Sequence, residues 1–217
     1  MRLENKVAIV TGGGSGFGAG IAAKFVAEGA RVLIADRDPA GGEKVADALG
    51  ASARSLKVDV SKSADVKAMI DAAHDLFGGL DILVNNAGMG HVPQPLEALA
   101  EDEFDRIVAV NIKSIYLAAR EVVPRFKAQK SGVILNVAST AGVSPRPRLA
   151  WYNASKGWVI TATRSMAVEL APFGIRVVAL NPVAGETPML KTFMGEDTPE
   201  MRAKFLATIP IGRFSTP

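Results

Sequence analysis

The stretch Val7-Ala8-Ile9-Val10-Thr11-Gly12-Gly13-Gly14-Ser15-Gly16-Phe17-Gly18 decides the fold. A short β-branched run stops at a cluster of glycines, and from Gly18 to Glu28 the residues suit a helix that closes at Gly29. The order is strand, tight turn, helix. Glycines in such a turn let the backbone approach a pyrophosphate, and the free N–H groups at the helix start favour negative charge. A glycine run alone also suits a turn made only for packing, so its weight comes from what surrounds it.

Outward from this unit the pattern repeats. Strands are predicted at Arg31 to Ala35, Ser55 to Val58, Asp81 to Val84, Val133 to Ala138 and Ile175 to Leu180. Helices are predicted at Pro39 to Leu49, Ser63 to Leu76, Asp102 to Lys130 with a kink at Pro124, and Tyr152 to Leu170. The strands are nearly continuous in apolar residues, as strands buried on both faces are. The expected fold is α/β: a single Rossmann-type domain over residues 1–217, with a doubly wound parallel sheet flanked by helices.

Composition narrows the function. With 217 residues, 48% of them apolar, the chain supports one well-buried core. The net charge of +3 comes from scattered residues and not from a basic cluster, which argues against nucleic-acid and membrane binding. The absence of cysteine excludes disulfides, thiolate metal sites and cysteine nucleophiles. The start has no export pattern, and no segment reaches the ~20 apolar residues of a membrane span, so a cytoplasmic location is expected.

Asp36 lies just past the second strand, where a carboxylate receives the ribose hydroxyls of a dinucleotide. The same charge repels the 2′-phosphate of NADP. No basic residue stands in the glycine turn, where Ser15 sits, although Arg37 follows Asp36 and softens the discrimination. The expected cofactor is NAD, with NADP second; no metal is expected.

The chain resembles the short-chain dehydrogenase/reductase family from Lys6 to at least Thr187. The family pattern Thr-Gly-x-x-x-Gly-x-Gly matches Thr11, Gly12, Gly16 and Gly18, and the Asn-Asn-Ala-Gly motif matches Asn85, Asn86, Ala87 and Gly88. The resemblance implies that Asn111, Ser139, Tyr152 and Lys156 form a catalytic tetrad. It implies a cofactor site made by Gly12, Ser15, Gly16, Phe17, Gly18, Asp36, Arg37, Asp59, Val60, Asn86, Ala87, Gly88, Tyr152, Lys156, Pro182, Val183 and Thr187. Asp59 and Val60 would lie near adenine, Lys156 on the nicotinamide ribose, and Asn111 would act through its backbone. Val183 stands where the family has glycine. Among relatives the chain is similar to 3-oxoacyl-carrier-protein reductases, which usually use NADPH and carry arginine in the glycine turn.

The spacing has its own chemical reading. Tyr152 and Lys156, one helical turn apart, share a face, and Ser139 ends the fifth strand at the carboxyl edge where open α/β sheets bind ligands. A phenol titrates at about 10, too high for a base at neutral pH, so a neighbouring ammonium and a nicotinamide cation are expected to lower Tyr152. Ser139 would hold the substrate oxygen. Taken singly, each of these residues is ordinary: a helix pair, a cap, a polar helix residue.

The substrate pocket is expected between Ser139 to Gly142, Met89 to Val92, Trp151, Val183 and a covering segment at about 183–210, with short helices at Met189 to Phe193 and Pro199 to Thr208. This mainly apolar set favours an uncharged aliphatic or alicyclic ketone or secondary alcohol. Arg146 and Arg148 are read as solvated loop charges or subunit contacts, or as groups greeting an acidic substrate; His91 is read as a surface residue. Beyond Gly212 no final strand or helix is legible, and the family's further C-terminal element is expected to be missing from the sequence. Val159, Ile160, Ala162, Met166 and Ala167 suit close helix packing, either within the chain or against another subunit, and the resemblance implies a homodimer or homotetramer.

The function expected is NAD-dependent interconversion of a secondary alcohol and a ketone. An NADPH-linked carrier-protein reductase, a noncatalytic cofactor-binding protein, and an epimerase or dehydratase that returns its cofactor unchanged remain as rivals.

Overall fold

The computed structural model describes residues Met1–Pro217. Six strands, β1 (Val7–Thr11), β2 (Arg31–Asp36), β3 (Ala53–Lys57), β4 (Ile82–Asn85), β5 (Gly132–Val137) and β6 (Ile175–Leu180), form one parallel sheet in the order β3-β2-β1-β4-β5-β6. Crossovers are made by α1 (Gly16–Ala27), α2 (Pro39–Leu49), α3 (Ser63–Phe77), α4 (Glu101–Val108) with α5 (Ser114–Gln129), and α6 (Ala150–Leu170). The order reverses between β1 and β4, which opens a crevice at the carboxyl ends of the strands.

Period-two alternation divides the core. Ile9, Leu33, Leu83 and Ile134 face α3 and α5 with Met69, Ile70, Val122 and Phe126. Ala8, Val10, Val32, Ile34 and Val84 face α1 and α2 with Ala22 and Ala46. Each fully buried aliphatic side chain contributes roughly 1.5–3 kcal/mol, so both faces need a helical cover, and both have one. β6 is an edge strand on which Val178 and Leu180 stay about half exposed.

The single helix expected over Asp102 to Lys130 is instead α4, a π-helical turn at Ala109–Lys113, and α5. The irregularity falls at Asn111 and not at Pro124, through which α5 runs unbroken. Pro124 removes one helical N–H, but the carbonyl it would have served belongs to exposed Arg120, and buried Val122 and Phe126 hold the helix on either side.

After β6 come α7 (Pro188–Met194) and α8 (Pro199–Leu206). The segment beyond Gly212 has no helix, yet it is packed: Phe214 is buried with Leu190, Met194 and Ile209, and Ser215 donates to the Ala184 carbonyl at 3.0 Å. No helix is long and apolar enough to cross a membrane.

Candidate active site

The glycine turn and the Asn85-Asn86-Ala87-Gly88 segment interlock. Thr11 Oγ1 donates to the Val84 carbonyl at 3.2 Å and accepts the amides of Asn86 and Ala87, each at 3.0 Å. Asn86 Nδ2 donates back to the carbonyls of Thr11 and Gly12 at 2.9 and 3.0 Å. Gly12 has φ +61°, and a Cβ on Gly18 would lie 2.0 Å from the Gly12 oxygen, so both positions exclude side chains. The turn is thereby held flat against β1 and β4 with its backbone open to the crevice.

At the end of β2, Asp36 accepts the Gly14 amide through Oδ2 at 2.8 Å and the Asp38 amide through Oδ1 at 2.9 Å. Beyond β3, Asp59 accepts both the hydroxyl and the amide of Ser61, which hold its carboxyl below the ordinary range. On the far side of the crevice, Ser139 caps the short turn Thr140–Gly142 by accepting the Ala141 amide at 3.1 Å. Tyr152 and Lys156 lie one turn apart on α6 and are both buried, with Lys156 Nζ 5.9 Å from the Tyr152 ring centre and donating to the Val137 carbonyl at 2.9 Å.

Burial lowers the Lys156 ammonium to about 8. Burial also raises Tyr152, against the opposing pull of a hydrogen bond with Ser139. The protein's own groups therefore do not give the acidified phenol expected from the sequence. Desolvation outweighs the hydrogen bond, and the ammonium that faces the ring is itself weakened by burial.

Asn111 sits in the π-helical turn behind Met89. Its Oδ1 accepts the Met89 amide at 2.8 Å, and its Nδ2 donates to the Met89 carbonyl at 2.9 Å and to Ser155 Oγ at 3.0 Å. A Cβ on Gly88 would lie 3.3 Å from Lys156 Nζ and 3.5 Å from Asn111 Oδ1, so both side chains close in on Gly88.

The segment after β6 closes the other side. The Thr140 amide donates to the Pro182 carbonyl at 3.1 Å, Thr187 abuts Gly16, and the Phe193 ring lies 4.8 Å from that of Tyr152. Val183 packs against the Leu190 and Met194 cluster, so the missing family glycine is absorbed by apolar contact.

One cleft of about 710 Å³ joins these parts. Every expected site residue lines it except Gly18, which backs the turn, and Asn111, which backs Met89. Outside the cover, four expected pocket residues are corrected. Gly142 lies out of the lining, packed against the backbone of Lys156 and Gly157. Trp151 turns away, donating to the Leu96 carbonyl at 2.9 Å and meeting Phe104 edge-on; Val92 is exposed; and His91 is buried, with Nδ1 2.9 Å from the Val92 carbonyl. Phe205 lines the cleft from the expected cover, Arg106 and Leu149 join the lining without having been expected, and so does Arg146, whose place in the wall no sequence signal had decided. The residues fit a dinucleotide: a bare backbone turn in the middle, carboxylates at the β2 and β3 ends, and a buried lysine at the other.

The short chain dehydrogenase family model matches residues 6–197. A 4-formylbenzenesulfonate dehydrogenase of Comamonas testosteroni is 50% identical, over 100% of this chain and 88% of its own length. The crystal structure of a 3-ketoacyl-(acyl-carrier-protein) reductase from Brucella melitensis complexed with NADH superposes with a TM-score of 0.93 at 54% identity, covering 98% of this chain and 86% of that one. An NAD+-bound xylitol dehydrogenase superposes at 0.91 with 27% identity, covering 99% and 88%.

Proposed function

The chain belongs to the short-chain dehydrogenase family, and from that premise we propose that it is an NAD-dependent oxidoreductase interconverting a secondary alcohol and a ketone. The observation that carries this reading is one cleft holding Asp36 and the glycine turn at one end and buried Tyr152, Lys156 and Ser139 at the other. NAD, when bound, supplies the hydride acceptor of alcohol oxidation and, reduced, the donor for the reverse.

The remaining steps belong to the chain's own groups. Backbone N–H groups from Gly12 to Gly18 receive the pyrophosphate at the start of α1. Asp36 uses one lone pair on each oxygen for the Gly14 and Asp38 amides, leaving the others to accept ribose hydroxyls. Asp59 and Val60 flank the adenine side, and Asn86, Ala87, Gly88, Pro182, Val183 and Thr187 complete the walls. Ser139 Oγ holds the substrate oxygen; in oxidation the Tyr152 phenolate takes the alcohol proton, and in reduction the Tyr152 phenol gives it back. Lys156 binds ribose hydroxyls and biases Tyr152 toward its anion. Asn111 positions Met89 and Ser155, and so the floor beneath the lysine.

The segment 183–210 is the substrate cover in this reading. Self-association as a homodimer or homotetramer is supported by exposed Tyr116, Trp158 and Val168 on α5 and α6. Val159 and Ile160, which suit packing either within the chain or against another subunit, are buried in the protomer's own core.

A second reading, an NADPH-linked reductase, is favoured by one observation: Arg37 lines the same cleft beside Asp36. Fluorescence titration with NADH and NADPH at matched ionic strength, followed by a screen of secondary alcohols with the oxidised form of the tighter cofactor, tests both. Tighter NADH and net NADH production support the first reading. Tighter NADPH replaces it with the second, and binding without turnover of any alcohol overturns the enzymatic reading.

A further inference from the structure

Arg146 stands in the cleft wall with no acidic partner. It is half-buried, its guanidinium lies 4.0 Å from the centre of the Phe205 ring, and it forms neither an ion pair nor a side-chain hydrogen bond within the protein. Asn153 Nδ2 donates to its carbonyl at 2.8 Å, fixing its backbone to the first turn of α6, directly beside Tyr152. Burial pulls its pKa down without threatening its charge.

The cleft's carboxylates do not compensate it. Asp36 and Asp59 are the two acidic residues in the lining, and they lie beyond β2 and β3. Ser139 and Arg146 follow β5, which is three strand spacings, about 14 Å, from β2. The half of the cleft around Tyr152 therefore carries positive charge from Arg146 and Lys156, with apolar Leu149, Phe193 and Phe205 between and around them. A cation held in an apolar wall costs desolvation and is retained where something of opposite charge meets it. Stacking on Phe205 steadies the guanidinium plane but offers its N–H groups no acceptor.

We propose that Arg146 is a specificity-determining residue that binds an acidic group on the substrate, a carboxylate or sulfonate carried at the end remote from the reacting carbon. This deepens the dehydrogenase reading and rests on it. The uncharged substrate suggested by the apolar lining gives way to an amphiphilic one, an apolar middle along Leu149 and Phe193 and an anion at Arg146. The rival role is structural, a clip between the segment before α6 and the α8 cover.

Matched ketones separate the two: acetophenone, 4-acetylbenzoate and 4-acetylbenzenesulfonate, each titrated by calorimetry into the protein with and without NADH, and each assayed for NADH consumption. The wild-type protein is expected to bind at least one anionic ketone about tenfold or more tighter than acetophenone, as a charge-assisted contact gives. In Arg146→Gln that preference should collapse while the acetophenone affinity moves less than about twofold, and Arg146→Lys should keep part of it. Which anion gains more identifies carboxylate or sulfonate.

No preference for either anion, a preference that survives Arg146→Gln, or an equal loss for charged and neutral ketones overturns the proposal, the last outcome establishing the clip. Anion preference without NADH consumption by any ketone supports the anion site and removes the dehydrogenase reading. NADH consumption that is indifferent to substrate charge does the reverse.

Discussion

The Asp36 carboxylate reaches across from the end of β2 to accept the Gly14 amide at 2.8 Å. The group expected to read the cofactor's ribose thus also pins the turn expected to hold its pyrophosphate. Removing it disturbs two contacts at once. Asp36→Ala should weaken NADH binding by more than the about tenfold of one lost hydrogen bond. Asp36→Asn keeps an acceptor for Gly14 and removes the charge, so it should lose less NADH affinity and gain NADPH affinity beside Arg37. Paired fluorescence titrations decide this; equal losses in both variants would mean that the link to Gly14 contributes nothing.

Tyr152→Phe retains the ring that packs 4.8 Å from Phe193 and deletes only the hydroxyl. NADH affinity should change by less than about twofold, while turnover should fall roughly 10²–10⁴-fold, the range of positioned acid–base groups. Stopped-flow and steady-state rates measure both. Turnover within tenfold of the wild type would assign the proton to another group.

Asn111 links three groups through its side chain, so its loss strands buried partners on Met89 and Ser155. Asn111→Ala should cost about 2–4 kcal/mol of stability, as unsatisfied buried groups do, and lower kcat more than it raises KM. Denaturant melts and kinetics test this. Asn111→Asp, which keeps the acceptor for the Met89 amide but not the donor, should fall between.

The turn that holds Asn111 also marks where sequence reading ends. The strand–glycine–helix unit was legible because its period and turn chemistry are local, and Asp36 followed from its place after the second strand, whereas Tyr152 and Lys156 came from the family resemblance and their shared helix face. A π-helical turn inserts one residue into a helix without changing composition or apolar stripe, so Asp102 to Lys130 read as one helix and suspicion fell on Pro124. Arg146 and Arg148 read as a pair for a similar reason. Arg148 takes φ +63° and gives its carbonyl to the Gln94 amide at 3.0 Å, a conformation no neighbouring glycine announces, and that bend separates an exposed arginine from one in the cleft.

Phe193 comes from α7 and helps bury Tyr152, whose pKa is raised by that burial. Phe193→Ala admits water beside the phenol and should lower its pKa, because the anion is the form that burial disfavours. The acid limb of kcat/KM for alcohol oxidation should move to lower pH by about half a unit or more, with Phe193→Leu moving less. An unmoved limb would place the desolvation elsewhere.

Lys156 gives a stability test of its own burial. Its pKa is about 8 in the folded chain against an ordinary 10.5. Below pH 8 the lysine is charged in both states, and the folded state carries the full desolvation cost. Between pH 8 and 10.5 the unfolded chain binds more protons than the folded one, so unfolding free energy rises with pH, by at most about 3 kcal/mol. Lys156→Met lacks this group and supplies the reference that cancels every other titration. The variant should be relatively most stable near pH 7, and the wild type should gain on it steadily from pH 8 to 10. Parallel denaturant melts of the two proteins across that range measure the difference. A flat difference would mean that the buried ammonium is already compensated by the Val137 carbonyl, 2.9 Å away, and that its basicity is not depressed.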